Sequence, residues 1–135
     1  MTDHGFTAIA PVDILDAVSD TAIPVKNGKH LTELLVGSNF DNYDYVIVLS
    51  HFKGHPIAGF GGAVKNLSVG MASARGKHIL HNVGSNFVLG SIMLRMASGV
   101  GHDVFLESMA EAAGAVIDRM DGNIVYINVM NRLYV

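Results

Sequence analysis

The spacing of apolar positions changes along the chain, and each change marks an element. Phe105, Met109, Ala112, Val116 and Met120 recur at intervals of three and four, which predicts an amphipathic helix with one buried stripe. Asp103 is placed to cap its start, and Asp121 with Gly122 forms a pair suited to a left-handed C-terminal cap. NIVYINVM follows and reads as a buried strand. Upstream, YDYVIVLS (43–50) is continuously apolar at its centre and rich in β-branched residues, as expected of a strand covered on both faces in a largely parallel sheet.

Shorter elements are weaker in pattern. PVDILDA (11–17) and HLTELLV (30–36) predict two strands, and Asn27 with Gly28 is a turn signal that makes IPVKNGKHLTELLV a candidate hairpin. AVKNLSVGMA predicts the start of a helix with Gly70 in its interior, and a short helix is expected around Phe87 to Met96. Strand, helix and strand in this order predict the α/β class: one three-layer-like domain over 1–135, with a largely parallel or mixed sheet and flanking helices.

Composition narrows the classes. Half of the 135 residues are hydrophobic and 16% are charged, which suits one compact folded core rather than a disordered chain. The sequence has no cysteine, so these residues supply no disulfide, thiolate metal ligand or thiol nucleophile. No apolar run approaches the roughly 20 residues that span a bilayer, and MTDHGF lacks the basic and apolar regions of a signal peptide. A cytoplasmic protein without membrane association is the resulting expectation. A sheet with an open edge would pair with another copy, which adds a homo-oligomer to the expectations.

The net charge is −3, but the charges are segregated. No acidic residue lies between Asp44 and Asp103, where Lys53, Lys65, Arg75, Lys77 and Arg95 occur with five histidines. This unopposed cationic stretch predicts a small anionic partner. Nucleic acid is disfavoured, because glycine and alanine interrupt the basic residues and few aromatics, Phe52 and Phe60 among them, are there to stack on bases.

HFKGHPIAGFGGAVKN, at the expected carboxyl end of the YVIVLS strand, is where ligand crevices form in open α/β sheets. Gly54, Gly59, Gly61 and Gly62 allow sharp turns and close backbone approach, and their amides can form an anion-binding nest, with N–H groups near Gly61 and Gly62 facing the anion. Lys53, Lys65 and Lys77 offer positive charge to a carboxylate or phosphate, and Asn66 a neutral donor or acceptor. No nucleotide-binding glycine fingerprint is present in order. Three readings of the histidines stay open. His51, His55 and His81 can form a histidine-only site for a divalent metal such as zinc or iron; one of them can exchange protons with a bound acid; or they can fix a tight turn by donating to loop carbonyls.

HFKGHPIAGFGGAVKNLSVGMASARGKHILH resembles the signature of the domain of unknown function 362 family, often called uncharacterised iron-sulfur centre proteins. The resemblance extends from HGF and APVDILDA through NGKH to FLESMAEAAGAVIDRM and YINVMNRL. It implies a place in the C-terminal part of a longer α/β protein, of which this chain is a fragment or an altered version. It also implies an iron-sulfur cluster for full-length members, though not for this cysteine-free chain. GGAVKNLSVG and the later His81 are similar to the glycine pair, lysine and histidine of the lactate racemase catalytic family. That likeness implies Lys65 as the binder of a substrate carboxylate and His81 as an acid or base, within a metabolic or redox enzyme. A non-catalytic binding module is the alternative.

Overall fold

The computed structural model describes residues 4–55, 59–83 and 102–130. The chain mixes helices and strands in the order β1 (Asp20–Pro24), β2 (Glu33–Gly37), β3 (Val46–His51), β4 (Lys53–His55), β5 (Gly59–Gly61), α1 (Ala63–Lys65), α2 (Ala74–Asn82), α3 (His102–Arg119) and β6 (Ile124–Val129). A π-helical turn, Asn66–Gly70, continues α1. Among the described residues the strands form three two-stranded sheets: β1 and β2 antiparallel, β3 and β6 parallel, β4 and β5 antiparallel. The expected hairpin is β1–β2, with Asn27 in the left-handed region at its turn.

PVDILDA is not a strand. Its polar side chains are acceptors for neighbouring elements: Asp13 takes hydrogen bonds from Asn39 and Tyr43, and Asp16 takes the Ala74 N–H at the start of α2. Those roles bend the chain through turns that a regular strand would not permit.

α3 carries the expected stripe, with Phe105, Met109, Ala112, Val116 and Met120 all buried. The helix begins at His102, so Asp103 lies within its first turn rather than before it. Asp121 and Gly122 both have positive φ, and the Gly122 N–H closes the end by donating to the Ile117 carbonyl. The stripe packs on β1, β2 and the π-helical turn, around Ile23, Leu34, Val36, Leu67 and Leu80. Glu111 fastens the same helix to the hairpin turn: its carboxylate accepts the backbone N–H groups of Lys29, His30 and Leu31 at 2.9 to 3.2 Å.

Helix α2 is held on β2 at close range. Ser73 caps it by accepting the Gly76 N–H, and a Cβ at Gly76 would stand 2.2 Å from the Leu35 carbonyl oxygen. Only glycine fits that contact.

The burial expected on both faces of β3 and β6 is absent. Val48 and Ser50 face the core, whereas Ile47 is 64% and Leu49 68% exposed, and Val125, Ile127 and Val129 beside them on β6 are exposed too. Tyr126, which pairs with Val48, is exposed as well, so the one-sided burial belongs to β3 and not to β6. The helix expected around Phe87 to Met96 lies outside the described residues. No helix among the described residues is long and apolar enough to cross a membrane.

Candidate functional site

Strand alternation sorts the first candidates. In β3 successive side chains point to opposite faces, so Ser50 turns inward and His51 turns outward beside Val129. Ser50 and its parallel neighbour Asn128 together hold the turn that follows the glycines. Asn128 Oδ1 accepts the Ala63 N–H at 3.0 Å, and Asn66 Nδ2 donates to Ser50 Oγ at 2.8 Å. Asn66 is thus engaged within the protein, and so is the Ala63 N–H that follows the glycine pair.

The next alternation builds one cationic face. In the β4–β5 ribbon Lys53 pairs with Gly61, Gly54 with Phe60, and His55 with Gly59. Lys53 and His55 therefore share a face with two glycines, and no β5 side chain stands over them. Lys65 lies across this opening: its Cδ is 3.7 Å from where a Cβ at Gly61 would be. Gly54 and Phe60 share the other face, where the Phe60 ring leans on Phe52 at 5.4 Å between centroids. Gly59 has a φ of +72°, in the left-handed region that favours glycine. Gly62 is extended and tightly enclosed, a Cβ there meeting Asn128 Oδ1 at 3.1 Å and Phe52 at 3.2 Å.

His81, on α2, joins from the side. Its imidazole stacks on Phe105 of α3, with centroids 5.4 Å apart and planes 20° from parallel. Partial burial holds His81 below the ordinary imidazole range, and the Lys65 charge, then His55 and His78, push the same way. Burial also lowers His55, followed by Lys65 and then Lys53. Lys65 therefore acts on both imidazoles and links the ribbon to α2.

Over its whole length, residues 1–135, the chain matches the family model described as a domain of unknown function, DUF362. The chain belongs to the DUF362 family. No curated protein and no solved structure matches it.

In this DUF362 domain the structure brings together Lys53, His55, Lys65 and His81, with Gly59 and Gly61 making room for them. His51 points outward from β3 beside Val129, and neither it nor Lys77 is among the charges that lower His55 or His81. No three His, Cys, Asp or Glu side chains among the described residues are grouped to hold a metal ion, so His51, His55 and His81 do not converge. The cationic stretch is also not wholly unopposed, since Arg75 pairs with Asp20 at 3.0 Å. Among the described residues Lys53, Lys65 and Lys77 form no ion pair.

Sequence reasoning did not find Phe105 or Asn128. Phe105 is indistinguishable from the rest of the apolar stripe. Asn128 did carry a signal, an amide side chain inside the otherwise apolar run NIVYINVM.

Proposed function

We propose that this domain binds a small anion, a carboxylate or a phosphate, on the face formed by Lys53, His55, Lys65 and His81. The observation that carries the reading is the position of Lys65 over the Gly61 opening, where its charge reaches both His55 and His81. A lysine with no carboxylate partner among the described residues, beside two imidazoles held toward the neutral form, is a local excess of positive potential. A bound anion relieves it.

Isothermal titration calorimetry with inorganic phosphate and with acetate tests this. Lys65→Met should weaken the tighter of the two by at least about tenfold, the scale of one lost charged hydrogen bond. Unchanged affinity in the variant, or no binding of either probe by the unaltered domain, rejects the reading.

A catalytic version is favoured by one observation, the stacking on Phe105 of His81, whose proton affinity burial and Lys65 lower. A neutral imidazole beside a lysine that holds a carboxylate can take a proton from the bound acid. His81→Gln would then keep binding and abolish exchange of the substrate's α-hydrogen with deuterated water, whereas a pure binding module shows no exchange in either form.

A further inference from the structure

The groups around Lys65 differ in kind, and the difference bears on the charge of the ligand. Lys53 and Lys65 are fixed point charges. His55 and His81 are convertible ones, each held toward neutrality first by burial and then by Lys65. From the elements packed around them, His55 is faced by Lys53 on its own strand and by Lys65 from α1; His81 is faced by Lys65, by His55 from β4, by His78 on α2 and by the uncharged Phe105 ring from α3. Three carboxylates on α3 and β1 are engaged elsewhere: Glu107 is bound by Lys29 and His30, Glu111 by three amides, and Asp20 by Arg75.

One negative charge leaves such a cluster with an excess of positive charge, whereas two balance the lysines and reverse the sign of the field at both imidazoles. Arg75 is engaged by Asp20, so among the described residues the fixed cations left to meet a ligand on this face are the ammonium groups of Lys53 and Lys65.

We propose that the ligand is a dianion of the phosphate-monoester kind, bound together with protons taken up by His55 and His81. The proposal rests on the anion-binding reading above and specifies the charge of its ligand. Because the imidazoles are held toward the neutral form in the free site and gain from a neighbouring anion only when charged, affinity rises as pH falls.

Sulfate separates the effects, since it is a tetrahedral dianion that does not itself titrate near neutrality. Calorimetry of the full chain at pH 7.5, in buffers of different ionisation enthalpy, should give sulfate at least about tenfold tighter binding than acetate and uptake of about one proton per sulfate. His55→Gln and His81→Gln should each reduce the uptake, and the double variant should abolish it while still binding sulfate. Equal affinity for sulfate and acetate, or binding without proton uptake, overturns the proposal and leaves the anion site intact. Failure of both anions to bind defeats the underlying reading instead.

Discussion

Asn128, near the end of β6, accepts the backbone N–H of Ala63 at 3.0 Å and so occupies, with its own amide oxygen, the position where the glycine-rich sequence suggests a ligand oxygen. Beside it Ser50 receives Asn66 from the same turn. Two polar side chains at the ends of parallel strands thus fix where α1 starts, and with it the direction of Lys65. Asn128→Ala removes a helix-start acceptor, so the domain should lose about 1 kcal/mol in urea denaturation. Full stability in the variant would mean that the contact contributes nothing.

Helix α3 and the β1–β2 hairpin are legible in the sequence because each has a local cause, a stripe at helical spacing in one and Asn27–Gly28 in the other. The covering of β3 is not. A continuous apolar run such as YVIVLS is compatible with burial on two faces or one, and only the position of α1 to α3 decides it. The candidate site divides in the same way. Lys53, His55 and Lys65 are close in sequence, so their grouping is partly readable. The support of His81 by Phe105 is not readable, because it joins positions 24 residues apart on different helices.

Lys65 is a shared cause of the low proton affinity of His55 and His81, second in each case to burial. Lys65→Met should therefore move the titration midpoints of both rings upward toward the ordinary value, as followed by proton NMR of the imidazole C–H signals. A lysine that touched only one of them would move only one. If neither midpoint shifts, Lys65 does not lie between them in solution.

The same two histidines set a direction for stability against pH. Each binds protons less readily when folded than when unfolded, so its contribution is complete above the ordinary value of 6.5 and is lost as pH falls through the folded value. Glu107, depressed by hydrogen bonds from His30 and then Lys29, adds an acid loss at lower pH, below the ordinary carboxylate value of 4.5. Thermal melting should show a first decline beginning below about pH 6.5 that His55→Gln and His81→Gln together remove. A melting temperature flat from pH 7 to pH 5 would contradict it.

Glu111 is the clearest structural use of charge in the chain. Its carboxylate receives three consecutive backbone N–H groups, from Lys29 to Leu31, that would otherwise point into the gap between hairpin turn and helix. Glu111→Gln keeps the size but supplies one acceptor oxygen and turns a donor toward the remaining amides. The cost should be about 2 kcal/mol in chemical denaturation, within the range for hydrogen bonds to a charged group. Amide hydrogen exchange at residues 29–31 should accelerate in parallel, which separates loss of this contact from a general loosening.

One-sided burial of β3 makes neighbouring positions respond differently to similar changes. Val48 is 7% exposed and faces the core; Ile47 and Leu49, on either side of it, face outward. Val48→Ala deletes two buried carbon groups at about 0.8 kcal/mol each, so it should cost about 2 kcal/mol once the residual cavity is included. Ile47→Thr and Leu49→Thr keep the strand and alter only its outer surface, so each should fall within about 0.5 kcal/mol of the unaltered domain. Urea denaturation at low protein concentration measures all three. Repeating it at high concentration exposes any covering of that face by another molecule: the outer substitutions would then become costly only in the concentrated sample. A large cost for Ile47→Thr already at low concentration would instead place that side chain in a core, contrary to the packing described.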